Sequence, residues 1–225
     1  MSAEAEVLDK PIEKSEPSEA PLSKRRKRII TDPLNDDNPI TVQVLGICSA
    51  LAVTTQLSPT LIMAISVVFV IVFSNLIISL LRNLIPNRVR IIVQLAVIAT
   101  LVTLVDQVLK AYFFDAWKSL TVFIGLIITN CIVMGRLEAF ALANKPYDSI
   151  LDGLGSGLGY AWIILAVAFF RELLGSASVF GFKVFEAVGI ENFPTNGIMV
   201  SPVGAFIILG LIIWVQRTKT GYVER

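Results

Sequence analysis

From Asn38 to Leu81 the chain carries no charged residue at all, with Asp37 and Arg82 standing at the two ends of the run. A helical crossing of a bilayer core takes about 20 apolar residues, so the stretch is long enough for two. Elsewhere the charges also cluster. They make up 16% of the chain, against roughly 25% in soluble domains, and the mean hydropathy is +0.74. The sequence therefore predicts an integral membrane protein of all-α class.

Six apolar segments can be marked, at roughly 40–56, 58–81, 89–109, 119–135, 154–171 and 201–216. The first and fourth are short, hold glycine and polar residues, and carry Cys48 and Cys131, the only cysteines present. Pro59 and the turn-like Thr54-Thr55-Gln56 separate the first segment from the second, and Arg82 to Arg90, with Pro86, is a loop. Residues 1–38 are polar and contain the basic run Lys24-Arg25-Arg26-Lys27-Arg28. No apolar stretch precedes a small-residue cleavage site there, which argues against a signal peptide. A disordered cytoplasmic tail is expected instead, its basic run anchoring topology. The net charge of +1 gives no general attraction to nucleic acid. The expected organisation is a tail over 1–38, a six-helix membrane domain over 39–216 and a short cytoplasmic tail over 217–225.

Orientation follows from the basic residues. With the N-terminus inside, fifteen of the nineteen lysines and arginines fall on the cytoplasmic side and four outside. The positive-inside rule then places both termini in the cytoplasm. The order short-with-cysteine, long, long occurs twice. Three crossings is an odd number, so the second triplet enters from the opposite side, which is an inverted repeat of the kind whose interrupted helices meet near the midplane. Cys48 lies nine residues past Pro39, about 14 Å at helical rise. Cys131 lies twelve past Ser119, about 18 Å. In a core about 30 Å thick both reach the middle.

Three readings of the cysteines stand side by side. They are buried thiols filling space, or a disulfide, or ligands of a metal. Without histidine, bis-histidine haem, Rieske-type ligation and most zinc sites are excluded. Thiolates favour iron or an iron–sulfur centre. Such a centre normally takes four thiolates, so two would have to come from another subunit.

Other candidates are weaker in pattern. Asp106 sits deep in the third segment, and an intramembrane carboxylate can mark an ion path. Lys110, four residues on, offers a structural pairing instead. Asn130, beside Cys131, is the other polar side chain considered for such a path. Arg171-Glu172 at the end of the fifth segment invites the same structural reading as Asp106 with Lys110. Arg136 and Glu138 stand where they could anchor a helix or dock a partner. Gly153, Gly155, Gly157 and Gly159 form a ladder that fails the dinucleotide-binding pattern, Leu158 and Tyr160 falling where it needs otherwise. Close helix packing accounts for it better.

At Asn38-Pro39-Ile40, Leu45-Gly46-Ile47-Cys48-Ser49-Ala50-Leu51-Ala52-Val53-Thr54, the chain resembles the family of D-type subunits of the bacterial sodium-translocating NADH:quinone oxidoreductase (Nqr). The likeness continues through Val89-Arg90-Ile91-Ile92-Val93-Gln94 and Val105-Asp106-Gln107-Val108-Leu109-Lys110-Ala111-Tyr112. It is densest from Leu126 through Thr129-Asn130-Cys131-Ile132-Val133 to Arg136, then Glu138-Ala139-Phe140, and it closes at Phe170-Arg171-Glu172-Leu173-Leu174-Gly175-Ser176. The related Rnf electron-transport complex has a similar component, which typically carries proline where this chain has Ser49.

The resemblance implies a six-helix subunit that pairs with a homologous, oppositely oriented partner, the E-type Nqr subunit, in a bacterial inner membrane. It also implies the remaining Nqr subunits (A, B, C and F) as partners, with membrane lipid around them. Cys48 and Cys131 match the family's ligands for an iron or 2Fe-2S centre shared with the E-type partner. Electrons would pass from NADH through flavin and that centre to further flavins and quinone, all but the centre held by other subunits, while sodium is exported. The chain would be part of an enzyme and not catalytic alone. The family's flavin-attachment motif, Ser-Gly-Ala-Thr, is absent, so no covalent flavin is expected. The alternatives are a subunit of an Rnf-type ferredoxin:NAD oxidoreductase, or a secondary transporter built on the same repeats.

Overall fold

Proline, glycine and asparagine decide where the apolar segments become helices. The computed structural model describes residues 29–34, 38–86, 88–112, 114–176, 178–179, 182–183 and 197–220. In chain order the helices are α1 (Ile47–Val53), α2 (Leu57–Leu81), α3 (Arg90–Tyr112), α4 (Phe114–Ile128), α5 (Cys131–Arg136), α6 (Pro146–Ser176), α7 (Gly197–Val200) and α8 (Pro202–Thr220). A 3-10 turn (Asp32–Leu34) precedes them, and a π-helical turn (Leu137–Ala141) continues α5. The pair β1 (Ser178–Val179) and β2 (Phe182–Lys183) is antiparallel and two residues long. The architecture is all-helical apart from that hairpin, and the chain is a multi-pass membrane protein.

Among the described residues four helical stretches are long and apolar enough to cross a membrane: Leu57–Leu81, Arg90–Tyr112, Phe123–Ala141 and Pro146–Gly175. A shorter apolar helix, Pro202–Thr218, is a fifth. The first expected segment differs. Only its second half is helical, as the seven-residue α1. Asn38 accounts for this: its Oδ1 accepts from the amides of Ile40, at 3.0 Å, and Thr41, at 3.4 Å, closing a turn. Val44 (φ 59°) and Gly46 (φ 81°) then take left-handed conformations, unusual for a β-branched residue and routine for glycine. The depth of Cys48 reckoned from helical rise past Pro39 therefore does not apply, because residues 38–46 are not a helix.

α2 and α6 form the centre of the bundle and pack along much of their length. Pro59 sits within the first turn of α2, where no intrahelical amide is needed. Pro146 opens α6, so that helix runs well outside the expected 154–171 at both ends. α3 and α4 lie against α2, and α8 lies against α6 and α1. Val67, Ile71, Ile78, Ile98, Ile127 and Ile164 are buried between them. Ile65, Ile92, Trp162, Leu211 and Trp214 are exposed, as apolar side chains can be where lipid is the solvent.

The glycine ladder does pack helices, on two faces at once. A Cβ added at Gly153 would lie 3.2 Å from Val72 Cα of α2, and one at Gly157 3.3 Å from Val68 Cα. The alternate pair faces the start of the described chain. A Cβ on Gly155 would lie 2.9 Å from the Ile29 carbonyl oxygen, and one on Gly159 would overlap the Pro33 carbonyl oxygen. Residues 29–34, expected within a disordered tail, are thus ordered against α6, because two glycines open a seam for their backbone. Residues 1–28, including the basic run, residues 35–37 and residues 221–225 lie outside the described residues. Gly159→Ala should cost about 1–3 kcal/mol, as overpacking does, measured as a lower thermal midpoint of the detergent-solubilised protein. Gly210→Ala, where an added Cβ meets nothing within 4 Å, should be neutral or stabilising.

Candidate functional site

Each cysteine stands at the start of a short helix. Cys48 is the second residue of α1, whose N-cap is the left-handed Gly46. Cys131 is the first residue of α5, whose N-cap is Asn130, with the Asn130 Oδ1 accepting from Ile132 N at 3.3 Å. α1 follows a non-helical lead-in, with Ile47 between its N-cap and Cys48, and α5 follows a break at Asn130 directly before Cys131. Both thiols are free and exposed on the surface of this chain, unlike the buried space-filling reading.

The two breaks are fastened together by side chains adjacent to the cysteines. Ser49 Oγ donates to the Gly46 carbonyl at 2.8 Å and meets the Tyr160 hydroxyl at 2.6 Å. Asn130 Nδ2 donates to Ser49 Oγ at 3.3 Å. Ser49, Asn130 and Tyr160 are all buried. Glycine at 46 is needed for a second reason besides its backbone angle: a Cβ there would lie 3.0 Å from the Tyr160 ring and 3.4 Å from Asn130 Oδ1. α6 thus carries Tyr160 into the place where α1 and the α4–α5 break meet.

A second clamp holds the far end of α1. Buried Arg171 donates to the Leu51 carbonyl at 3.2 Å and Thr54 Oγ1 at 2.7 Å, and also to the Val200 and Ser201 carbonyls. A cation on C-terminal carbonyls is favourable in both charge and hydrogen bonding. Its neighbour Glu172 accepts from the Leu57 amide at 2.6 Å and so caps α2 from outside. Arg171-Glu172 therefore braces the α1–α2 junction from both sides. Glu172→Ala should destabilise the protein by about 1–3 kcal/mol, the usual cost of a stranded buried partner, while Glu172→Gln, which keeps an acceptor oxygen, should restore most of the thermal midpoint.

The remaining charged candidates pair within this chain. Asp106 Oδ1 accepts from the Trp117 indole at 2.8 Å, and Lys110 Nζ lies over the same ring, 5.3 Å from its centroid. Asp106 and Lys110 share a tryptophan instead of forming the direct pair that their spacing suggests. Arg136 makes a two-point ion pair with buried Asp152, including Nε to Oδ2 at 3.1 Å. Glu138 pairs with Arg90 and accepts from Gln94 at 2.9 Å. Arg136 and Glu138 both anchor helices of this chain. The sequence alone does not single out Ser49 or Tyr160. The available signal is the row Asp152, Ser156, Tyr160 at four-residue spacing along an otherwise apolar helix.

Among the described residues no group of three or more His, Cys, Asp or Glu side chains could hold a metal ion. Two exposed thiols, each at a helix start and with small neighbours, suit a ligand set that another chain completes. They do not make one alone.

A model of the family described as "Rnf-Nqr subunit, membrane protein" matches residues 26–213. The D-type subunit of the Na(+)-translocating NADH-quinone reductase of Pasteurella multocida is 54% identical over 205 residues, which is 90% of this chain and 99% of the relative. The protein of the same name from Photobacterium profundum is 54% identical over 196 residues, 87% and 93% of the two chains. That of Haemophilus ducreyi is 53% identical over 201 residues, 88% and 97%.

Proposed function

The chain belongs to the Rnf-Nqr family of membrane subunits, and on that premise we propose that it is the D-type subunit of a Na(+)-translocating NADH:quinone reductase. In that role it is part of an oxidoreductase complex and performs no reaction alone. Its partners are the other Nqr subunits (A, B, C, E and F). It resides in a bacterial inner membrane with both termini cytoplasmic. α1 with its lead-in, α2 and α3 form one triplet; α4–α5, α6 and α8 form the inverted second.

The finer proposal concerns the thiols. Cys48 and Cys131 hold half of an iron or 2Fe-2S centre, the other half coming from the homologous E-type partner. When bound, such a centre supplies a one-electron site within the membrane. What carries this reading is one observation: both cysteines are exposed at helix starts whose adjoining residues, Ser49 and Asn130, are hydrogen-bonded to each other. This chain's own work is then positional. Gly46 and Asn130 open the two short helices, Tyr160 and Ser49 hold them together, and Arg171 fixes the end of α1. Ser49, Asn130 and Tyr160, beside the exposed thiols, are themselves buried.

Iron quantification on the purified complex tests the reading, with and without serine at positions 48 and 131. Equal iron in both preparations would sink it. A sodium route past Asp106 and Asn130 belongs to the same proposal. Asp106→Asn keeps an acceptor for the Trp117 indole while removing the charge, so a changed sodium dependence of turnover supports the route and an unchanged one removes Asp106 from it. The transporter reading predicts function without redox partners, which the same preparations exclude or reveal.

A further inference from the structure

Tyr160 is buried without exposure, on the central helix α6, and its hydroxyl is 2.6 Å from Ser49 Oγ. Ser49 also bonds the carbonyl of Gly46, which is the N-cap of the Cys48 helix, and receives the side-chain amide of Asn130, which is the N-cap of the Cys131 helix. Three groups from three separated parts of the chain therefore converge on one serine hydroxyl. Each lies within two residues of a cysteine, or on the helix that backs both. The next turn of α6, at Ile163 and Ile164, is buried and apolar, and this one could have been so too. The ring gains from burial as a phenylalanine would, but the buried hydroxyl needs a partner, so the reason for a phenol at the junction lies in what its hydroxyl holds.

We propose that Tyr160 is a positioning residue for the cysteine pair: through Ser49 it fixes the start of the Cys48 helix relative to the start of the Cys131 helix, and so sets the placement of one thiol against the other. The proposal rests on the iron-centre reading and goes beyond it, since that reading names ligands and says nothing of what holds them in register. Ring and hydroxyl have separate duties. The ring lies against Gly46, where a Cβ would be 3.0 Å away, and fills the space. The hydroxyl makes the tie. Tyr160→Phe keeps the first and removes the second.

The test uses the whole complex carrying Tyr160→Phe, Ser49→Ala, Cys48→Ser or Asn75→Ala. The last removes an interhelical bond of the same kind elsewhere in the bundle, Asn75 Nδ2 to the Ser149 carbonyl at 3.1 Å. Two quantities are read: the rate at which a chelator removes iron, and the paramagnetic spectrum of the centre. Tyr160→Phe and Ser49→Ala should assemble with full iron, lose it about fivefold faster, the factor an ordinary hydrogen bond allows, and show an altered spectrum. Asn75→Ala should change neither. Wild-type iron loss and spectrum in Tyr160→Phe, with iron absent from Cys48→Ser, would overturn the positioning role and leave the iron reading intact. Iron retained at wild-type level in Cys48→Ser overturns both. If Tyr160→Phe fails to assemble, Ser49→Ala decides by the same criteria. An equal effect from Asn75→Ala assigns the change to general loosening and overturns the proposal.

Discussion

Complexes carrying serine at position 48 or 131 should oxidise NADH with an artificial acceptor at the normal rate and pass almost no electrons to quinone. The fall should exceed about 100-fold, because losing an outer-shell partner of a metal already costs roughly 10–100-fold and these are proposed ligands. The split between the two assays is the informative part. Both cysteines are exposed on this chain, and serine differs from cysteine by one atom. Exposed substitutions away from special features stay within about 0.5 kcal/mol. A folding defect is therefore not the expected cause, and assembled complex should be recovered in normal amount. Loss of both activities together would indicate failed assembly, and full quinone reduction in both variants would remove the cysteines from the electron path.

Arg136→Ala should be the most damaging single change to stability. Its guanidinium meets the Asp152 carboxylate at two points, and the aspartate side chain is 1% exposed. Removing Arg136 takes from the buried carboxylate the cation that faces it, a change that costs about 3–5 kcal/mol. That is a large part of the roughly 5–15 kcal/mol typical of a folded domain, so little folded protein should accumulate at growth temperature. The paired replacement Arg136→Met with Asp152→Leu should be near neutral by comparison, since no charge is then stranded. Lysine at 136 keeps the charge but loses the planar fork and should fall between. Thermal unfolding in detergent orders the four proteins. Equal midpoints for Arg136→Ala and the paired replacement would show that the ion pair contributes only through its volume.

The charge-free run from Asn38 to Leu81 reads as membrane-embedded, and α2 within it is long and apolar enough to cross; the helix bounds of α2 and α3 follow from Pro59 and the Arg82–Arg90 loop. Short length and small residues mark the two cysteine segments as interrupted; the helices that carry the cysteines, α1 and α5, have seven and six residues. Where the chain breaks is less legible, because it depends on two asparagines, Asn38 and Asn130, whose side chains bond nearby amides. An asparagine in an apolar run reads equally well as a ligand, a cap or an interhelical clasp. Tyr160 is hidden beside Trp162 in a segment that reads as ordinary membrane helix. The Arg136–Asp152 pair spans sixteen residues and two helices, so no rule of helical spacing could join them. Arg171-Glu172 stands out in the sequence, but nothing in the spacing says that each serves a different helix end.

The two-faced glycine ladder of α6 has a practical corollary. Residues 29–34 are held by a backbone-width seam at Gly155 and Gly159, and Asn38 adds a hydrogen bond to the Gly159 carbonyl at 3.2 Å. Mechanically that seam is a strain relief. A pull from upstream is borne at residues 29–34 and at Asn38, before it can reach the turn that sets up the Cys48 helix. An affinity tag or reporter fused upstream of the seam is thereby decoupled from the thiols, whereas one inserted between residues 34 and 38 would load the turn directly.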